Sequence, residues 1–139
     1  MEENYLSVLI VNQSLEHRGL LSNAAFVLGL TAGRELPPST FGENVWDKDG
    51  KSHKYLTKIA HHVRKASGGK IRAIREAITD NSAISAVDYP EEAAPSDYSI
   101  YSNALKEKAI SEIDYRAIHL YGPESLLLPL TKNLSRLGE

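Results

Sequence analysis

The amino-acid sequence predicts a three-layer α/β/α fold around a mixed, largely parallel sheet of about four strands. A short, β-branched and nearly continuous apolar run at residues 5–11 is typical of a strand buried on both faces. Segments with helical periodicity then alternate with further apolar runs. Near the C-terminus, a last apolar run at residues 113–121 passes through Gly122-Pro123 into a leucine-rich segment. Together these features predict strands connected by helices.

The first half of the chain begins with the strand at residues 5–11 and continues into a helix. The apolar positions of that helix recur at helical spacing: Leu21, Ala24, Ala25 and Leu28. Gly29 or Gly33 can end it. The tight-turn sequence at residues 47–50 predicts a small hairpin at the edge of the sheet. A second main strand is predicted over residues 57–65.

The second half of the sequence again alternates predicted helices with predicted strands. After the glycine turn at residues 67–69, an amphipathic helix is predicted, followed by a third strand over residues 83–87. An acidic linker at residues 91–96 leads to another helix, and one face of that helix is predicted to carry Tyr98, Tyr101, Leu105 and Ala109. The last strand follows this helix. Pro129 requires the final helix to kink or to begin beside it. The leucines of this final helix fall on one stripe: Leu127, Leu130, Leu134 and Leu137.

Composition narrows the class of protein. A chain of 139 residues is about one domain, which we place at residues 1–139. The formal net charge of −2 gives no overall attraction to nucleic acids or acidic membranes. The absence of cysteine excludes disulfides and thiolate chemistry. No signal peptide or membrane-spanning run is recognisable. We therefore expect a cytoplasmic, non-membrane protein.

A basic cluster spans residues 64–75 and includes a Gly-Gly-Lys turn that opens a helix. Free backbone N–H groups at such a turn can bind an anion, so Gly69, Lys70 and Arg72 are candidate anion-binding residues. The spacing does not match a phosphate-binding P-loop. The alternatives are a solvated helix face and a surface that binds RNA.

The histidines give no metal-binding pattern, and no metal is expected. Because His61 and His62 are adjacent on a predicted strand, their side chains point to opposite faces and cannot chelate one ion. His119 lies in the last predicted strand, either as a hydrogen-bonded core or subunit-contact residue or as a proton donor at the C-terminal edge of the sheet. Serine-hydrolase and dinucleotide-binding motifs are absent, so no cofactor is expected.

Four segments spread over nearly the whole chain carry a family resemblance: residues 8–12, residues 19–25, Val87-Asp88 and residues 118–123. Taken together, they resemble the peptidyl-tRNA hydrolase II superfamily. Within the superfamily, a bacterial branch known as domain-of-unknown-function family 2000 is the most similar. The segments that resemble this branch are Asn23-Ala-Ala25, Asp47-Lys-Asp-Gly50, Val87-Asp88 and Tyr121-Gly-Pro123. This resemblance implies a small α/β/α domain that is often dimeric, and hence a homodimer.

The same resemblance argues against peptidyl-tRNA hydrolysis. The superfamily's Arg-x-Asp-Leu signature is replaced by Asn12, Ser14 and Leu15, so only its leucine remains. The lysine that opens the first helix in the enzymes corresponds to Leu20 here. Loss of that lysine removes the positive charge expected to stabilise a phosphate or an oxyanion.

Three hypotheses about function follow. The first is a non-hydrolytic protein that binds a small ligand or a partner through Asn12, Asn23 and Asp88. The second is an enzyme with relocated machinery, in which Asp88 or His119 is the acid or base and Lys70 or Arg72 holds an anion. The third is an RNA-associated dimeric module that uses the basic residues at 64–75.

Overall fold

The main sheet of the protein has five strands. The computed structural model describes residues 4–93 and 97–138. The strands of this sheet are β1 (Tyr5–Asn12), β4 (His61–Ala66), β5 (Ser85–Pro90), β6 (Tyr115–Pro123) and β7 (Ser135–Arg136). Their spatial order is β5-β6-β1-β4-β7, so β1 is the central strand. A separate two-stranded sheet consists of β2 (Val45–Trp46) and β3 (Ser52–His53).

Within the described residues, four α-helices connect these strands: α1 (Arg18–Glu35), α2 (Gly68–Ala77), α3 (Tyr98–Lys106) and α4 (Glu124–Thr131). Three of them begin at a side-chain cap. The ring of His17 caps α1, the hydroxyl of Ser67 caps α2, and the carboxylate of Asp97 caps α3. Each cap accepts a hydrogen bond from a backbone N–H of the first turn that has no partner within its helix.

The mixed sheet confirms the α/β class, but the prediction of a largely parallel sheet was wrong. Only the pair β1–β4 is parallel, and the other three pairs are antiparallel. The prediction assumed that a helix between two strands makes a parallel crossover. Here α3 lies between β5 and β6, yet these strands are antiparallel neighbours, because the chain reverses its direction before β6 enters the sheet between β5 and β1.

Two further details differ from the sequence-based expectations. Helix α1 runs through Gly29 and Gly33 and ends only at Glu35. At the C-terminus, α4 ends at Thr131 and the tail pairs with β4 as the short strand β7, so Leu137 does not continue the helical stripe. The edge of β4 offers unpaired backbone groups, and pairing with them satisfies the tail's own backbone.

The hairpin was predicted correctly as a local structure, although it lies outside the main sheet. Gly50 has a φ of 78°, a left-handed conformation that glycine adopts without strain. The carboxylate of Asp47 accepts hydrogen bonds from the backbone N–H groups of Asp49 and Lys51, each at 2.9 Å. These bonds close the turn between β2 and β3.

The sheet packs its side chains in two unequal clusters. Helices α2 and α4 lie against side chains that include Val8, Ile10 and Ile118, in a cluster of eleven buried residues. Helix α1 lies against the alternate side chains, in a cluster of four: Ala24, Leu28, Tyr89 and Ala117. Because successive strand side chains point to opposite faces, these clusters occupy opposite faces of the sheet. Among the described residues, no helix is long and apolar enough to cross a membrane.

Candidate functional site

Two of the predicted ligand-binding residues, Asn23 and Asp88, line one cleft. It has a volume of about 490 Å³ and lies between α1, the edge strand β5 and α3. The hydroxyl of Tyr89 donates to Oδ1 of Asn23 at 2.7 Å, so the amide nitrogen of Asn23 remains available as a donor. Nε of Arg75 donates to Oδ2 of Asp88 at 3.1 Å. The second carboxylate oxygen of Asp88 can therefore accept a bond from a molecule in the cleft.

Tyrosine side chains form the other wall, and we call this site the tyrosine cleft. Tyr98 and Tyr101 of α3 have ring centroids 5.7 Å apart and planes inclined by 54°. Tyr98 is 79% exposed, which is unusual for so large an aromatic side chain. Burial raises the pKa of Tyr101, and the nearby charge of Asp88 raises it further. The sequence identified these tyrosines only as one face of a helix.

Asn12, the third predicted ligand-binding residue, lies elsewhere. Its amide nitrogen donates to the carbonyl oxygen of Tyr115 at 3.0 Å, and its Oδ1 accepts from the backbone N–H and hydroxyl of Ser14. It lines a separate polar cleft of about 380 Å³, together with Asp114 and Arg116. The structure therefore brings Asn23 and Asp88 together and leaves Asn12 outside their cleft.

The predicted anion-binding residues lie at the start of α2. The hydroxyl of Ser67 already accepts from the backbone N–H of Lys70, at 3.1 Å. The guanidinium of Arg72 donates to the carbonyl oxygen of Ile113 at 2.9 and 3.2 Å and to the carboxylate of Asp114 at 3.1 Å. These contacts use donors that an anion at Gly69 would need. Anion binding stays a prediction.

The arginines of the basic cluster are partly engaged within the protein. Arg75 pairs with Asp88 and Arg72 with Asp114, each with an N–O distance of 3.1 Å. Such pairing reduces the positive charge that the residues at 64–75 present to a phosphate backbone. RNA binding through this segment stays a prediction, as does the homodimer.

His119, the predicted acid or base, lies in a second cleft beside α1. Its Nε2 is 2.8 Å from the hydroxyl oxygen of Ser7, and Nδ1 of His61 is 2.5 Å from the same oxygen. This cleft of about 290 Å³ is mainly walled by apolar side chains of α1. Desolvation, followed by the nearby His61, lowers the pKa of His119 from 6.5 to about 4. Asp88 and His119 therefore line different clefts.

Ser7 and His61 are the residues that the sequence analysis missed. Ser7 is the one serine within the apolar run of β1, and it is only 1% exposed. A lone serine at a buried position of a central strand signals a polar contact, because an unpartnered buried hydroxyl is costly. The partner could not be inferred, since the pairing of Ser7 with His61 depends on the register of β1 and β4.

No metal site is evident in the part of the chain that the structure describes. Nowhere in residues 4–93 and 97–138 do three His, Asp or Glu side chains lie close enough to hold one ion. His61 and His119 both contact the hydroxyl of Ser7. His53 contacts Asp47 in the hairpin turn, with an N–O distance of 2.8 Å.

The chain belongs to a family described as "protein of unknown function (DUF2000)", whose sequence profile matches residues 7–137. It is also similar to the solved structure of Atu0240, a protein of unknown function from Agrobacterium tumefaciens strain C58. That alignment has a TM-score of 0.81 at 16% sequence identity and covers 98% of each chain. At this identity the likeness establishes a common fold alone. No curated protein matches the sequence significantly.

Proposed function

We propose that the protein is a non-hydrolytic, ligand-binding relative of peptidyl-tRNA hydrolase II, and that its ligand is a planar ring bound in the tyrosine cleft. The observation that carries the proposal is the meeting of Asn23 and Asp88 in one cleft with Tyr98 and Tyr101. Aromatic walls with a few convergent polar groups are typical of small-molecule sites. The proposal retains two of the three residues expected from the sequence.

The polar groups of the cleft indicate what the ring must carry. The free oxygen of Asp88 is an acceptor and the amide nitrogen of Asn23 is a donor, so the complementary ring has a donor and an acceptor of its own. Tyr98 and Tyr101 can stack against the ring. The charge of Arg75 partly offsets that of Asp88, which favours a neutral ring over a cationic one.

Calorimetric titration with two probe compounds tests this site. Adenine has an exocyclic amino donor, and purine is the same ring without it. We expect adenine to bind at least tenfold more tightly than purine, because a missing donor leaves the Asp88 oxygen unpaired, at a cost of about 1–3 kcal/mol. No adenine binding, or equal affinity for the two probes, would contradict the proposal.

Two matched aspartate variants localise the binding. Asp88 and Asp114 each pair with an arginine at 3.1 Å, but only Asp88 lines the tyrosine cleft. Asp88→Asn should weaken adenine binding about tenfold, whereas Asp114→Asn should leave it unchanged. Equal effects of the two substitutions would place the probe elsewhere. Circular dichroism checks that both variants remain folded.

The non-hydrolytic part of the proposal has its own test. Leu20 stands where the superfamily's enzymes have a lysine, and Asn12 replaces the arginine of their signature. Purified protein should therefore release no peptide from peptidyl-tRNA in an assay with an authentic type II enzyme as positive control. Turnover that disappears in Asp88→Ala would instead support the alternative of relocated catalytic residues.

A further inference from the structure

A chain of four hydrogen-bonding side chains runs along the second cleft, which we call the histidine cleft. It begins at Thr57, whose hydroxyl oxygen is 2.8 Å from Nε2 of His61. His61 continues to Ser7 through Nδ1 at 2.5 Å, and Ser7 continues to Nε2 of His119 at 2.8 Å. Three strands contribute to this chain, because Ser7, His61 and His119 lie on the neighbouring strands β1, β4 and β6.

When both imidazoles are neutral, the hydrogen bonds among these four side chains can be arranged in only two ways. The hydroxyl of Ser7 has one hydrogen, so it donates to one histidine and accepts from the other. In the first arrangement, Nε2–H of His119 donates to Ser7, Ser7 donates to Nδ1 of His61, and Nε2–H of His61 donates to Thr57. In the second arrangement, every one of these bonds is reversed, and each histidine carries its hydrogen on Nδ1.

The two arrangements differ by the passage of one proton. A proton that arrives at Nδ1 of His119 lets Nε2 release its hydrogen to Ser7, and Ser7 passes its own to Nδ1 of His61. His61 then gives its Nε2 hydrogen to Thr57, whose original hydroxyl hydrogen leaves to solvent. One proton enters and one leaves, so no net charge remains in the cleft. This balance suits a site in which desolvation lowers the pKa of both histidines.

Nδ1 of His119 is the end of this hydrogen-bonded series that a bound molecule can reach. Among the described residues it has no hydrogen-bond partner, while its ring lines the histidine cleft. It is an acceptor in the first arrangement and a donor in the second. The described residues that line the cleft include no Asp, Glu, Lys or Arg, so none of them compensates the charge of a charged ligand.

Helix α1 leaves open space along the rest of the cleft. A methyl group added at Gly29 or Gly33 would meet no atom within 4 Å, although both glycines line the cleft. The surrounding walls are apolar and include Leu9, Leu28 and Phe41. The volume of about 290 Å³ is sufficient for a small organic molecule with an apolar body.

We propose that the histidine cleft binds a small, neutral, mainly apolar molecule with one oxygen function, and that the chain from His119 through Ser7 and His61 to Thr57 is its proton relay. The oxygen function contacts Nδ1 of His119, and the apolar body fills the space beside Gly29 and Gly33. This site is separate from the tyrosine cleft, so either one can fail without the other.

Nitrogen-detected NMR of the imidazoles with cyclohexanone as the probe tests the relay. A ketone only accepts hydrogen bonds, so binding requires Nδ1–H on His119 and selects the second arrangement. We expect His119 and His61 both to move to the Nδ1–H tautomer in the wild type. In Ser7→Ala the link is broken, and only His119 should respond. A response of His61 that persists in Ser7→Ala, or no response of either histidine at saturating probe, would overturn the proposal.

Two additional variants keep the test decisive. Because Ser7 is buried, Ser7→Cys serves if Ser7→Ala does not fold, since a thiol has a similar shape but bonds weakly. Gly29→Leu fills the cleft without touching the relay and replaces glycine with a better helix former. It should weaken cyclohexanone binding at least tenfold with no loss of melting temperature. Unchanged binding in folded Gly29→Leu would show that the probe binds outside the cleft.

Discussion

The two faces of the main sheet are packed differently. On the face of α2 and α4, eleven buried residues form one continuous cluster around Ile10, Ile118 and Leu120. On the face of α1, four of the described buried residues form the cluster, and clefts of about 490 and 290 Å³ flank the helix. The larger cleft extends past the edge strand β5 to Asp88, whose side chain points toward Arg75 of α2. The first face supplies most of the hydrophobic stabilisation, whereas the second leaves space beside polar side chains.

The α1 face also carries features that stability alone does not explain. Ser7 and His119 place polar groups at the centre of the sheet, and α1 keeps two glycines in its interior. Each glycine costs about 1 kcal/mol relative to alanine in a helix. The α2 and α4 face shows how the same sheet packs when its side chains are apolar. This difference is the reason that both proposed ligand sites are placed beside α1.

The largest effect should come from matched truncations on the two faces. Ile118→Ala removes a fully buried side chain from the large cluster and should lower the unfolding free energy by about 2–5 kcal/mol. Leu9→Ala deletes a similar volume from β1, but Leu9 is only half-buried and lines the histidine cleft. Urea denaturation should give a cost at least 1 kcal/mol smaller for Leu9→Ala. Equal costs would mean that the α1 face is packed as tightly as the other.

The pH dependence of stability tests the histidine cleft. The pKa of His119 falls from 6.5 to about 4 on folding, so the unfolded chain binds more protons between these values. The unfolding free energy should therefore decrease as the pH drops from about 6.5 to 4, and this contribution levels off below. One pKa unit corresponds to about 1.4 kcal/mol, which limits the effect to about 3 kcal/mol.

Replacing His119 separates its contribution to the pH dependence of stability from the contribution of the carboxyl groups. His119→Gln removes the titrating group, so its unfolding free energy should change less between pH 6.5 and 4 than that of the wild type. Urea denaturation at several pH values gives, for each protein, the slope of the unfolding free energy against pH. The account of a desolvated His119 fails if the two slopes coincide. Carboxyl groups such as Asp97, whose pKa is lowered by hydrogen bonds to Ile100 and Ser99, contribute equally to both proteins.

Features set by neighbouring residues were predicted from the sequence, and features set by strand pairing were not. The buried strand at Tyr5–Asn12 and the turn at Gly50 follow from apolar runs and turn chemistry. The antiparallel pairing of β5 with β6 and the return of the tail as β7 depend on which edge remains free. No local pattern contains that information.

The same distinction applies to the candidate sites. Asn23 and Asp88 were predicted as partners and do share a cleft, whereas Asn12 is separated from them by its bonds to Ser14 and Tyr115. The contact between Ser7 and His61 joins residues 54 positions apart. Such contacts require the register of the sheet, so a sequence pattern could at most indicate that Ser7 needs a partner.

The smallest expected effects concern the glycines. Gly29→Ala and Gly33→Ala should each stabilise the protein by about 1 kcal/mol, because neither methyl group meets another atom. Gly122→Ala should destabilise it, since the new Cβ would lie 3.2 Å from the carbonyl oxygen of Ala83 and the side chain of Ile84. Thermal melting compares the three variants. A lower melting temperature for Gly29→Ala would mean that α1 packs more closely than the structure indicates.

The claim that α1 lies on the functional face is tested most directly by backbone amide NMR with both probes. Adenine and cyclohexanone would be titrated separately into isotopically labelled protein. The account predicts that adenine shifts signals around Asn23, Asp88 and Tyr101, and that cyclohexanone shifts signals around Gly29 and His119. Shifts of both probes that concentrate on α2 and α4, with none along α1, would contradict it.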